Sequence, residues 1–415
     1  MNSLFPPSSA HSGMTGDIVS LFVIAAAAVL APLLSAATRK RIPDVVWLLL
    51  LGVLIGPSGL AIAKVTDSVN LFREVGMGML FLIAGTEIDV ATVRARPGRV
   101  ALGTWAICFL AGLGLAIAGG VTSTFSSAVA LAIALTSTAL GTLLPILMEA
   151  GLMGTPTGKA VLIHGAIGEL APVVAMSLLL GSRSPGAAAA VLLLFVVATL
   201  VSVAIPTRFV LRHPGIGRVI LRGAQTSSKT LMRVVMLILT GLMALSAVLR
   251  LDMVLGAFAA GVIVKALAPV NFASVETELR TLGFSFLIPL FFVTSGMSIS
   301  LKDVVAHPEM LVIFVAAILV VRGLPILLIE RCIGTVERES WRRALKVGLY
   351  GASGLPIIVA VTGVAVASKV MPADIGSILV AAGGASILLF PLLASLEDRI
   401  PDIRIGRRSA PAGAQ

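Results

Sequence analysis

The sequence predicts an all-α polytopic membrane protein with inverted-topology repeats. Three observations carry that reading. Hydrophobic residues make up 58% of the 415 and charged residues 12%, about half the charged share of a soluble protein. Continuous apolar runs of about 20 residues recur along the chain, each long enough to cross the hydrocarbon core as a helix. They do not alternate in and out over about ten residues as barrel strands do. Finally, two interrupted runs occupy corresponding positions of the two halves.

The runs give about thirteen spans, near residues 17–36, 43–62, 69–87, 98–118, 126–148, 158–181, 187–207, 232–249, 252–268, 281–298, 308–330, 344–367 and 374–396. Of the 31 Lys and Arg residues, 24 fall in alternate loops on one side and six on the other, with Arg322 inside a span. This is the positive-inside pattern, which puts the N-terminus outside and the C-terminus in the cytoplasm of a plasma or inner membrane. The net charge of +11 thus reflects topology and contact with anionic lipid rather than a nucleic-acid surface. Cys108 and Cys332 lie in or at the end of apolar runs, so neither a disulfide nor a metal framework is expected. No basic stretch precedes Asp17, so a cleaved signal peptide is not expected.

The repeat emerges in the third and tenth spans. Phe81–Val90 aligns without gaps on Phe292–Leu301, with Phe, Gly and Ile at the same offsets. The tenth span follows the third by an odd number of spans, so the two copies run in opposite directions, as in many secondary transporters. Two spans further on, the fifth carries Thr136-Ser137-Thr138 and the twelfth carries Gly351, Gly354 and Pro356 around Ser353. Each interruption weakens a helix interior, and matched interruptions point to a binding site where freed carbonyls and helix ends face an ion. Close packing by small residues is the plainer explanation of either run alone. The expected layout is an extracytoplasmic segment (1–16), a transmembrane unit (17–398) and a cytoplasmic tail (399–415). Within the unit lie a first repeat (about 43–181), a connector (about 208–233) and a second repeat (about 252–396).

Two charges, Glu169 and Arg322, sit near the middle of spans, where an ionisable group usually marks an ion or proton path. Glu169 is the expected carrier, because one carboxylate can hold a proton or a monovalent cation but not both. Arg322 keeps its charge and is expected as its charge partner. Thr136, Ser137, Thr138 and Ser353 could offer hydroxyl or carbonyl ligands, or bond their own helices. His164 points about 140° away from Glu169 on a helix. It could sense pH in a funnel or make an interhelical hydrogen bond. Glu87 and Asp89, near a span end, read as ordinary interfacial carboxylates. No zinc-binding His-Glu-x-x-His helix, serine elbow or phosphate-binding loop is present, so an enzyme is not expected, nor a cofactor.

Leu51–Pro57, Phe81–Val90, Leu255–Gly261 and Pro289–Gly296, in this order and spacing, resemble the monovalent cation:proton antiporters, and within them the second cation:proton antiporter family with its bacterial sodium/proton exchangers and Kef-type relatives. The resemblance runs from about Pro43 to Leu393. It implies a panel domain and a core domain, two broken helices crossing in the core, exchange of sodium or potassium for protons by alternating access, and a homodimer. It places the ion-binding carboxylate at Glu169 and the core's basic residue at Arg322. Relatives have Asp preceded by Asp, Asn or Gln; this chain has Gly168-Glu169. With one carboxylate, electroneutral exchange is expected. A sodium-coupled symporter of an organic anion, with Arg322 on the substrate carboxylate, is the alternative.

Overall fold

The computed structural model describes residues 8–38, 42–87, 90–120, 124–180, 186, 190–201, 230–267, 272–336 and 340–396. Every regular element among the described residues is a helix. Nine helices are long and apolar enough to cross a membrane, and four shorter apolar ones (Asp44–Ile55, Phe125–Leu135, Ala190–Val201 and Met253–Leu267) occupy the remaining predicted spans. Almost all of the expected connector, the C-terminal tail and Asp89 lie outside the described residues.

The helices sort into two packed groups. One contains Asp44–Ile55, Asp67–Glu87, Thr230–Val248, Met253–Leu267 and Ile288–Met297. Its two tightest pairings explain the glycines of the matched stretches. A Cβ on Gly85 would strike the Phe258 carbonyl and Gly261, and one on Gly261 would strike the Leu82 carbonyl and Gly85. The same happens in the other pair, where Gly52 lies against Val293 and Gly296, and Gly296 against Leu49. Gly85 and Gly296 are the aligned glycines of the repeat. Each therefore seats one half's helix against the other half's backbone at a separation that only glycine permits. The two pairings resemble each other, each setting a glycine against the backbone of a glycine-bearing helix.

The second group contains Arg96–Ala118, Pro156–Leu179, the segment Pro308–Cys332 and two helices that break midway. The first break separates Phe125–Leu135 from Leu140–Glu149, and the second separates Trp341–Gly351 from Leu355–Ala367. Ordinary capping starts these helices: Thr124, Thr155 and Ser340 accept from the amides of Ser127, Gly158 and Arg343. The interruptions coincide with the hydroxyl run and the glycine run read from sequence. Ala373–Leu396 packs on members of both groups.

Candidate functional site

The two breaks meet. The Ala139 amide donates to the Ser353 carbonyl at 2.8 Å, and Ser137 Oγ to the Gly354 carbonyl at 3.1 Å. Thr138 Oγ1 donates to the Gly351 carbonyl. Any side chain at Gly354 would collide with Ser137, so glycine is needed for the approach. Each unwound segment thereby supplies partners for the other's orphan backbone groups, which is how a broken helix survives away from water.

The Pro156–Leu179 helix docks on this junction for a reason written in its sequence. Pro172 has no N–H, so the Gly168 carbonyl one turn earlier has no intrahelical partner. The Thr138 amide takes it, at 2.9 Å. That bond brings Glu169, only 2% exposed, beside the junction. The Leu140 amide, at the start of the second half-helix, faces the Glu169 carboxyl, so the helix N-terminus favours negative charge there. Glu169 Oε2 is buried with no hydrogen-bond partner, as is Ser353 Oγ.

The other proposed oxygens are already engaged. Thr136 Oγ1 bonds back to the Ala132 and Ile133 carbonyls, Ser137 Oγ to Ala134 and Gly354, and Thr138 Oγ1 to Gly351. Gly351 and Pro356 flank the second break as expected, Pro356 at the first turn of its helix, where a missing N–H costs nothing.

Arg322 corrects the expected pairing. It lies in a π-helical turn, Leu319–Gly323, and is the largest fully buried side chain among the described residues. Its Nε donates to Thr138 Oγ1 at 3.1 Å, Nη2 to the His164 carbonyl at 2.8 Å, and Nη1 to Cys108 Sγ at 3.9 Å. No ion pair joins it to Glu169 among the described residues. Instead the guanidinium packs on the backbone face of Gly168, where a Cβ would meet Nη2 and Thr138 Oγ1. Glycine at 168 is thus the steric consequence of where Arg322 lies.

His164 faces no funnel. It is wholly buried, and Nε2 donates to Glu330 Oε1 at 2.8 Å. Glu330, also wholly buried, accepts the Thr335 amide on both oxygens. Sequence reading passed over Glu330 because it ends an apolar run beside Arg331, where a carboxylate reads as interfacial.

Between the two helix groups lies a cavity of about 650 Å³, walled by Leu140, Leu144, Met148 and Leu162 on one side and Glu87, Lys265, Glu276 and Arg280 on the other. Glu87 is more than an ordinary interfacial acid. It pairs with Arg280 at 3.1 Å, while Oε2 is buried and without a hydrogen-bond partner. Leu140 links cavity to carrier: it lines the wall and its amide faces Glu169.

Similar proteins agree with this architecture. The sodium/hydrogen exchanger transmembrane family matches residues 25–395. The glutathione-regulated potassium-efflux system protein KefC of Cronobacter sakazakii is 28% identical over 394 residues, covering 92% of this chain and 60% of that one. KefC of Escherichia coli K12 is 27% identical over 400 residues with the same coverage. YjbQ of Bacillus subtilis is 25% identical over 338 residues, 76% of this chain and 53% of YjbQ. The chain therefore spans between about half and three fifths of the length of these relatives. The structure of the sodium proton antiporter MjNhaP1 from Methanocaldococcus jannaschii superposes with a TM-score of 0.62 at 18% identity, covering 92% of this chain and 99% of that one, which shows a shared fold. With the family matched over residues 25–395, the chain belongs to the sodium/hydrogen exchanger transmembrane family.

Proposed function

We propose that the protein exchanges a monovalent cation, sodium or potassium, for protons by alternating access, with Glu169 as the shared carrier. The observation that carries this is a buried carboxylate with one oxygen unpartnered, brought by the Gly168–Thr138 bond to a junction of two broken helices that also holds an unpartnered Ser353 hydroxyl. A proton on Glu169 satisfies that oxygen, and so does a cation held by Glu169 and the Ser353 hydroxyl. The two occupants exclude each other, which couples their fluxes. Sodium/hydrogen exchange in the family, and the potassium efflux named for KefC, support both candidate cations.

The cavity supplies the route. It opens among helix ends flanking the Lys- and Arg-rich loops, so the protein in an inner membrane faces the cytoplasm in this state, N-terminus outside. The helix group holding the broken helices acts as the moving core, and the glycine-locked group as the panel through which two copies associate. A single carboxylate exchanging one proton for one cation makes transport electroneutral. The organic-anion symport reading loses its substrate contact, because Thr138, His164 and Cys108 already occupy Arg322's nitrogens.

The test is purified protein in liposomes carrying a pH dye. Addition of sodium or potassium chloride should move protons at zero membrane potential, and clamping the potential should leave the rate unchanged. A potential-driven current, or cation entry without proton movement, would contradict the proposal.

A further inference from the structure

Arg322 and Glu330 are both wholly buried, yet neither forms an ion pair with an oppositely charged Lys, Arg, Asp or Glu among the described residues. A full charge inside a membrane protein, held only by neutral groups, is costly unless an opposite charge lies near enough to offset it. One residue touches both. His164 accepts Arg322 Nη2 on its backbone carbonyl and donates Nε2 to Glu330. Its other ring nitrogen has no partner, which suits a neutral imidazole with its single proton directed at Glu330.

We infer that Glu330, acting through His164, is the counter-charge of Arg322 and a positioning residue for exchange at Glu169. The arrangement closes a neutral set of three: a guanidinium, an imidazole and a carboxylate. It runs from the helix junction at Thr138 to the Thr335 amide just beyond the span. Its consequence falls on Glu169. Arg322 packs on Gly168, next to the carrier, and an unbalanced guanidinium there would repel the arriving cation. With Glu330 ionised, the two fields oppose each other at Glu169. The carrier's negative charge then remains available to the cation instead of being neutralised by the nearest arginine.

The inference rests on cation–proton exchange at Glu169 and is separable from it by experiment. Sodium and potassium chloride titrations of liposomes would be run with wild type, Glu330→Gln, Glu330→Asp and the double variant Glu330→Gln/Arg322→Gln, with detergent melting as a check on folding. Glu330→Gln keeps the hydrogen-bond acceptor for His164 but deletes the charge. It should raise the apparent KM for the cation about tenfold, the factor that about 1.4 kcal/mol of repulsion produces, and change turnover much less. Glu330→Asp should stay near wild type. Removing both charges should return KM toward the wild-type value. If Glu330→Gln fails to fold, the double variant should fold. A folded Glu330→Gln with wild-type KM, a KM raised equally in Glu330→Asp, or a defect that Arg322→Gln does not relieve would each overturn the inference. Wild-type liposomes that move no protons on cation addition would instead defeat the exchange reading.

Discussion

Gly168→Ala is a sharp probe of how this site is built, because it adds one methyl where the guanidinium already lies. The new Cβ would meet Arg322 Nη2 and Thr138 Oγ1 at distances no real Cβ adopts. The neighbouring helix is held through the Thr138 amide, so backbone retreat would break the Gly168–Thr138 bond. The cheaper relief is for Arg322 to move. Overpacking a closed site costs about 1–3 kcal/mol, and losing one charge-assisted hydrogen bond costs about 1.5–3 kcal/mol. Part of the first is recovered by the movement, which leaves a destabilisation of about 3 kcal/mol. The SDS-induced unfolding midpoint of purified protein reads this directly. In an Arg322→Gln background the same alanine should cost under about 1 kcal/mol, because the two substitutions share one space. A stability equal to wild type, or a penalty of equal size with and without Arg322, would refute the steric reasoning.

Other outcomes follow from the packing and the caps. Gly261→Ala and Gly52→Ala should each lower stability by about 1–3 kcal/mol, since their Cβ atoms would strike backbone of the opposing repeat. Gly103→Ala and Gly114→Ala, in helix interiors with open space around them, should leave the unfolding midpoint unchanged or raise it by up to about 1 kcal/mol. Asp252 caps the Met253–Leu267 helix through the Val254 amide at 2.8 Å, and burial pushes its carboxyl up from 3.8 to about 6. A folded-state pKa above the unfolded value gives stability that is full below about pH 4 and lost as pH rises through about 6. Melting scans of wild type should show that loss, and Asp252→Asn, which keeps the capping oxygen, should flatten it.

Much of this was legible in the amino-acid sequence, and physical reasons separate what was from what was not. The two breaks were readable because a helix interior tolerates neither a run of Thr-Ser-Thr nor Gly351-Ala-Ser-Gly354-Leu-Pro356 without compensation. Glu169 stood out because a mid-span carboxylate has no cheap explanation. Partnership was harder to read. Glu169 and Arg322 have opposite signs at similar depth, but the rotation of their helices turns the guanidinium toward Thr138 and the His164 carbonyl. An interhelical hydrogen bond was an expected role for His164, but its partner could not be named from its own helix, because it lies on the Arg322 segment. The hydroxyl run could be read equally as ligands or as groups bonding their own helix; Thr136 bonds only its own helix, and Ser137 and Thr138 also close the junction. Glycines that had marked the resemblance turned out to have a mechanical role, since Gly85 with Gly261 and Gly52 with Gly296 set the spacing of the two repeats. Gly168 had drawn notice as an oddity before the carrier. Its cause is invisible until Arg322's side chain is placed.

The central claim is that one buried carboxylate carries both ions. Its most direct test is cation-induced proton flux in liposomes for wild type and Glu169→Gln, the two proteins matched for folding by their melting curves. Glutamine keeps the side chain's size but can neither release a proton nor neutralise a cation. The account predicts robust flux from wild type and none from Glu169→Gln with sodium or potassium; continued exchange by a folded Glu169→Gln protein would contradict it.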